Sequence, residues 1–525
     1  MKYIAKPTFL DRVINYFSPV RGVKRLHART VFSMTTTGKV KSSAASKDGL
    51  LSNWIPKRFG SEQQEAAERE TIIDRIEDLS LNDPSASTAV DTIASKTIGV
   101  GLKPQSKPVW KRLGITEEQA KEVSEQAEWA FKLFSKEAGS DGSSTMSDIL
   151  YQTIRTMVEK GEYLNIPVRL DRNKTGRKFS LAIQTLNPSR LKTPTDIKEG
   201  VRDGIAFSQQ GIPKTYWIAE PKNKNRNYYL NSSDFRPVPA RRGHRKAVFH
   251  DFIKKQPEQY RGISPIAPAV KELKALSDYF DVELVGAIIA NSFPLFIETE
   301  FGAGVRSDMG SGFYWGGDSS YPEYQDINPG TVMYGKPGQK PHVIEADRPG
   351  NTFAPFVETS LRRSFAAVGL SYEVAMKDFT KCNYVTARAA LNDAYDLFAM
   401  LQGWLIDHFA QKVWQMVFED AWLMGMIELP AGFDFYDNID AWTNALWIPP
   451  KRNSVEPYKE IMAAKVGKEI DLLTDEEYLA ANGKDVDEHY QQLEREKKEK
   501  EKRKLINDVK IPDNQPQEPG RIQGE

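Results

Sequence analysis

Cysteine is nearly absent from this chain of 525 residues: Cys382 stands alone. A single thiol forms no internal disulfide and no thiolate metal cluster, which points to a reducing compartment. Long apolar runs are also missing. Val285 to Ala290, among the strongest, falls far short of the ~20 residues that cross a bilayer. Met1 to Val13 lacks the apolar centre of a signal peptide, so the expectation is synthesis in the cytoplasm with no membrane partner. Net charge is only +1, without the strongly basic footprint of a tight nucleic-acid binder. Catalytic signatures are missing too. No Gly-x-x-x-x-Gly-Lys-Ser/Thr loop is present, which excludes the usual phosphate cradle of an ATP-driven motor. No His-Glu-x-x-His or paired-cysteine pattern occurs. The histidines (His27, His244, His250, His342, His408, His489) are scattered and read as packed or surface imidazoles. The expectation is no enzyme: no catalytic residue, no cofactor and no metal. One pattern opposes it. Asp434, Asp437 and Asp440 lie close enough in sequence to suggest a two-metal nuclease, but no basic or phosphate-binding residue accompanies them locally.

What the chain does have is length, too much for one hydrophobic core, so two or more packing units are expected. Residues up to about 60 alternate short helical patterns with Ser/Thr/Lys-rich linkers such as Thr35 to Asp48, a loosely held arm. Ser61 to Ser80 reads as a charged helix with Ile72, Ile73, Ile76 and Leu79 on one face. Asn82-Asp83-Pro84 breaks it, and Ser85 to Thr97 forms a second helix ending at Gly99. Glu117 to Glu137 and Met146 to Lys160 are further amphipathic helices. Glu162 to Leu170 and Lys178 to Leu186 alternate around a polar turn, which predicts a hairpin. Ile205 to Phe207, Thr215 to Ala219 and Lys246 to Phe249 read as strands.

From Phe249 to Pro268 an extended run ends in a loop, Arg261-Gly262 turns, and Ser264-Pro265 opens a helix. Ile266, Val270, Leu273, Leu276, Phe280, Leu284, Ala287 and Ile288 then recur at three-and-four spacing. That is one apolar stripe on a helix of roughly 27 residues, about 40 Å long. A Gly- and Pro-rich tract from Phe301 to Pro355 follows, with short strands expected at Leu295 to Glu298, just before it, and at Gly330 to Tyr334, within it. Thr352 to Gly369 is a second helix. Asn383 caps a very long one with a kink expected at Gly403. Glu494 to Lys504 carries seven positive and four negative charges, a solvated helical face, and Asn514 to Glu525 is Gln/Pro/Gly-rich.

Four blocks of this sequence resemble the lambda family of tailed-phage portal proteins. They are Arg75 to Pro84 with Ala89-Val90 and Ile98-Gly99; His250, Gln259-Tyr-Arg-Gly262 and Pro265-Ile-Ala-Pro268; Gly369 to Val374 with Asn383 to Leu391; and Trp447 to Arg452 with Glu456-Pro457. One departure is Val385-Thr386, where that family usually carries Ser-Ser. The resemblance implies an α+β portal fold with a mixed α/β wing, an α-helical stem, a small α/β clip, a long kinked helix and a helical crown. In this numbering it places the arm at 1–60, wing at 61–262, stem helices at 263–290 and 351–369, and clip at 291–350. A tunnel loop follows at 370–384, a kinked helix with more wing at 385–446, the crown at 447–510 and a tail at 511–525. It implies a closed ring of twelve copies at one capsid vertex of the virion, passing double-stranded DNA without reading sequence. The implied partners are the large terminase subunit, major capsid and scaffolding proteins, and a head-completion or tail adaptor. Lys377 and Lys381 become candidate DNA-facing loop residues. Lys271, Lys274, Arg362 and Arg363 become candidate channel charges. Phe313, Tyr314, Trp315, Tyr321 and Tyr324 become candidate motor-docking residues.

Overall fold

The computed structural model describes residues 62–194, 200–220, 234–292, 296–297, 333–334, 353–450 and 457–503. The chain divides into two compact units, Met1–Ala67 and Glu68–Glu525. The described part of the first is the opening of helix α1, and every later element belongs to the second.

Helix α1 spans Glu62–Asn82 and α2 spans Pro84–Ile98, with the break where Asp83 and Pro84 predict it. Asp83 accepts the Ala86 amide at 2.7 Å and Pro84 needs no amide donor at the first helical position. Strand β1 (Lys103–Ser106) leads to helices α3 (Glu117–Ser135) and α4 (Met146–Lys160), each opened by a threonine capping box. The expected hairpin forms from β2 (Tyr163–Arg169) and β3 (Leu181–Leu186), antiparallel. Strands β4 (Val201–Arg202), β5 (Ile205–Phe207), β6 (Pro213–Ala219) and β7 (Phe235–Pro239) build a four-stranded antiparallel sheet in that order. A small ribbon, β8 (Arg241–Arg242) with β9 (Arg245–Lys246), precedes β10 (Phe249–Asp251), which joins the other edge of β2. The two sheets share an apolar seam of Leu164, Ile166, Leu186, Leu191, Ile218 and Val238.

Helix α5 (Val270–Ser292) begins later than its sequence suggests. Ser264 and Pro265 open a series of turns instead, because Pro268 supplies no amide where a regular helix needs one. The Ser264 hydroxyl donates to the Val158 carbonyl at 2.6 Å and accepts the Ile266 amide at 3.1 Å. Strands β11 (Phe296–Ile297) and β12 (Met333–Tyr334) pair in parallel. Helix α6 (Phe353–Val368) packs along α5, and α7 (Tyr372–Met376) and α8 (Tyr384–Leu405) follow. The long helix does not break at Gly403. It runs to Leu405, opens into one π turn over Ile406–Ala410, and resumes as α9 (Gln411–Leu423). A π turn inserts an extra residue into the helical ladder, and Phe409 and Ala410 reach the core from it, both fully buried.

The main core lies between α2, α3, α4 and α9. Trp414 is fully buried there, its indole N–H donating to the Thr443 carbonyl at 2.9 Å, with Phe131 edge-on at 5.4 Å between ring centres. The indole N–H of a buried tryptophan usually finds such an acceptor. Strand β13 (Ala445–Ile448) pairs with β1 and closes this side. Three C-terminal helices, α10 (Pro457–Glu469), α11 (Asp475–Ala481) and α12 (Val486–Lys502), contribute one buried side chain between them, Leu479.

Candidate functional site: the helix junction and the loop after α6

Two arrangements stand out, both at the ends of the paired helices α5 and α6. The first launches α5. Glu162, just before β2, is fully buried and receives the Arg261 guanidinium on both carboxylate oxygens, with Nε at 2.9 Å from each. The same carboxylate accepts the Gly262 amide at 2.8 Å and lies 3.1 Å from His250 Nε2. Arg261 Nη1 also donates to the Asp203 carbonyl at 2.7 Å and Nη2 to the Pro188 carbonyl at 3.2 Å. Gln259 closes the turn by donating to the Arg261 carbonyl at 2.8 Å. The carboxylate's acceptor sites are thus taken by Arg261, the Gly262 amide and the His250 ring, the condition under which a buried ion pair is tolerated. Burial alone would raise the Glu162 carboxyl; Arg261 and the His250 hydrogen bond more than offset it and hold its pKa well below the usual range. Gly161 and Gly262 pass so closely that a Cβ on Gly262 would sit 2.1 Å from the Gly161 carbonyl oxygen.

A pH dependence results. A carboxyl whose pKa is depressed by folding adds stability above its unfolded value and loses it as pH falls toward the folded one. Stability should therefore drop below pH ~4.5, the usual carboxylate range. In denaturation series at stepped pH, the Glu162→Gln variant should be weaker at neutral pH and should fall off less steeply in acid.

The second arrangement is the loop after α6. Gly369 ends that helix in a left-handed conformation (φ 90°), with the Leu370 amide reaching back to the Phe365 carbonyl at 3.0 Å. The stretch 370–384, expected as a loop, begins with α7, which Lys377 terminates, also left-handed at φ 57°, a conformation lysine seldom adopts. Asp378 accepts both the amide and the hydroxyl of Thr380, at 3.1 and 2.7 Å. Asn383 then caps α8 by accepting the Thr386 amide at 2.9 Å. The hydroxyl of Thr386 also donates back to the Asn383 carbonyl at 3.0 Å, so this departure from Ser-Ser keeps a hydroxyl donor. Asn383→Ala should cost about 1 kcal/mol, read as a lowered denaturation midpoint.

The candidate lysines are placed unequally. Lys381 is ion-paired with Glu358 on α6 at 2.6 Å. Glu358 also holds Arg362 at 3.0 Å, and Arg362 reaches Glu373 on α7 at 2.6 Å while lying 4.8 Å over the Tyr372 ring. Lys377 is exposed and has no ion-pair partner among the described residues. On the helices, Lys274 pairs with Asp278 at 2.6 Å, Arg363 with Glu272 at 3.6 Å, and Lys271 is exposed. Sequence reasoning named the cations and missed their carboxylates, although Glu358 and Arg362 stand four apart on one helix, the spacing at which such pairs form. Phe313, Tyr314, Trp315, Tyr321 and Tyr324 lie outside the described residues.

Two of the three aspartates hold local structure. Asp434 caps a short turn by accepting the Tyr436 amide at 2.9 Å, and Asp440 accepts from Gln415 at 3.3 Å. Among the described residues no group of three His, Cys, Asp or Glu side chains is placed to hold a metal.

The model of the family described as phage portal protein, lambda family, matches residues 47–402. The chain belongs to that family. It is 25% identical over 451 residues to the portal protein of Escherichia phage N15, covering 81% of this chain and 83% of that one. It is 24% identical over 447 residues to portal protein B of Escherichia phage lambda, again covering 81% and 83%. Among solved structures, the neck of a native GTA particle computed with C12 symmetry aligns at 13% identity and a TM-score of 0.38, covering 78% of this chain and 93% of that one. The protein is thus a portal protein of the bacteriophage head, a structural virion component and not an enzyme. The nuclease reading of the Asp434 cluster finds no support.

Proposed function

We propose that this portal protein assembles as a closed ring of twelve copies at one capsid vertex, through which double-stranded DNA enters during packaging and leaves at ejection. In this reading residues 61–262 form the wing, α5 and α6 the stem (263–290 and 351–369), 291–350 the clip, 370–384 the tunnel loop, 385–446 a kinked helix with more wing, and 447–510 the crown. The clip takes the large terminase subunit and later the head-completion or tail adaptor. The wing packs against neighbouring subunits, the ring meets the major capsid and scaffolding proteins at its vertex, and the loop after α6 faces the duplex backbone without reading bases.

One observation carries the ring. The apolar stripe of α5 is buried only at its beginning: Leu273 and Leu276 are 2% and 4% exposed, whereas Phe280, Leu284 and Ile288 are 41%, 61% and 52% exposed. On α6, Phe356 is 57% exposed and its ring lies 6.0 Å from that of Tyr279 on α5. Contiguous apolar surface of this kind calls for a partner, and a heterologous contact between identical subunits closes into a ring when the rotation divides evenly. Imaging of the purified chain with light scattering tests it. Rings with a central hole and a mass near twelve copies are the expected result. No ring even with capsid and scaffold partners added would overturn it.

A further inference from the structure

The loop after α6 is electrically balanced where a DNA-gripping loop would be expected to be basic. Lys377, Lys381 and Arg362 are the cations of the cluster, and Glu358, Glu373 and Asp378 are its carboxylates. The charges are also linked in series, Lys381 to Glu358 at 2.6 Å, Glu358 to Arg362 at 3.0 Å, and Arg362 to Glu373 at 2.6 Å. Lys381 comes from the loop, Glu358 and Arg362 from α6, and Glu373 from α7, so the chain of charges ties the loop to the stem helix.

We propose that Glu358 masks the charge of the loop: it pairs with Lys381, so that Lys377 is the resting loop's one cation without an ion-pair partner among the described residues, and a passing phosphodiester backbone takes Lys381 over from Glu358. The proposal rests on the reading that this loop faces DNA.

The physical case is one of exchange between weak partners. The Lys381 side chain is 72% exposed, and an ion pair so open to water is screened by salt and held only loosely. A phosphate diester offers the ammonium the same kind of charge-assisted hydrogen bond as a carboxylate. The exchange is therefore nearly balanced, and it leaves Glu358 paired with Arg362. Balance suits a conduit. Every permanent phosphate contact adds to the energy that holds DNA in place, multiplied by the number of subunits touching it. A cation that returns to its own carboxylate when the phosphate moves on lets the duplex advance.

The chain supplies its own reporter. Cys382, its only cysteine, follows Lys381 directly and is half-buried, its amide donating to the Phe379 carbonyl at 3.1 Å. Its rate of labelling by a maleimide reads how firmly the loop is held. The experiment uses the purified full chain, wild type and the variants Glu358→Gln, Lys381→Ala and Lys377→Ala. It measures Cys382 labelling without DNA, and binding of a random-sequence duplex across a salt series. Glu358→Gln should label several-fold faster, and wild type should approach that rate as salt rises. The same variant should bind the duplex with a steeper salt dependence, by ~0.9 in log–log slope for each added phosphate contact, and adding Lys381→Ala should remove the gain. Labelling of Glu358→Gln at the wild-type rate overturns the mask. Faster labelling with unchanged DNA binding also overturns it; if Lys377→Ala still weakens binding in that case, the loop faces DNA but is not masked. Identical DNA binding by all variants overturns the DNA-facing reading itself. Because high salt alone should release the wild-type loop, the test does not depend on a substituted protein folding.

Discussion

Arg261→Ala should destabilise the protein by about 3–5 kcal/mol, the usual cost of removing one member of a buried ion pair, and an insoluble product is the expected extreme. The loss is large because of what remains. Glu162 keeps a carboxylate with no exposed surface, served only by the Gly262 amide and His250, while the carbonyls of Asp203 and Pro188 lose their donor. An uncompensated buried charge is worse than no charge. Removing both at once should therefore be milder than the sum of the two single changes. Glu162→Leu with Arg261→Met should keep more stability than either single substitution, a coupling that a denaturation double-mutant cycle reads directly. A single Arg261→Ala variant within about 0.5 kcal/mol of wild type, the range of ordinary surface changes, would show that the cluster does not hold the junction. The Gly161–Gly262 crossing makes a second test of the same point. A Cβ at Gly262 would have to displace backbone, not a flexible side chain, so Gly262→Ala should fail in the same way with every charge still in place.

This junction shows what a sequence exposes and what it conceals. His250, Gln259, Arg261 and Gly262 were visible as a pattern, but their purpose was not, because the group that organises them sits about a hundred residues earlier. Glu162 looks like the first residue of an ordinary hairpin strand, and nothing local marks it as the one carboxylate that His250, Arg261 and Gly262 share. Local signals fared better. The Asn82-Asp83-Pro84 break and the β2–β3 hairpin are set by capping and turn chemistry a few residues long, and they appear where expected. The start of α5 and the irregularity of the long helix were misplaced by several residues. In the first, Pro268 outweighs the favourable Ser264-Pro265 opening. In the second, packing of Phe409 into the core decides where the ladder opens, not the glycine's freedom at Gly403. At the loop, periodicity gave the helices on either side, while the pairing of Lys381 with Glu358 crosses from loop to helix over 23 residues and has no sequence period to betray it.

The apolar stripe of α5 leads to the other large effect, on assembly instead of folding. Leu284→Glu should abolish ring formation and leave the single subunit as stable as wild type. In the isolated chain the leucine is 61% exposed, so a glutamate there meets water, and such surface changes stay within about 0.5 kcal/mol. Between packed subunits the same glutamate would be a desolvated charge without a partner, repeated at every interface around the ring. Symmetry multiplies the penalty as it multiplies the contact. Phe280 and Ile288 flank Leu284 one helical turn to either side and should repeat the result. Lys274→Ala removes an ion pair to Asp278 on its own helix and should leave the mass unchanged. Light scattering, imaging and a thermal melt on the same samples separate the cases. Loss of rings with an unaltered melt places α5 at the subunit contact. Rings of normal mass from Leu284→Glu would place the contact elsewhere and leave the exposed stripe without a partner in the assembly.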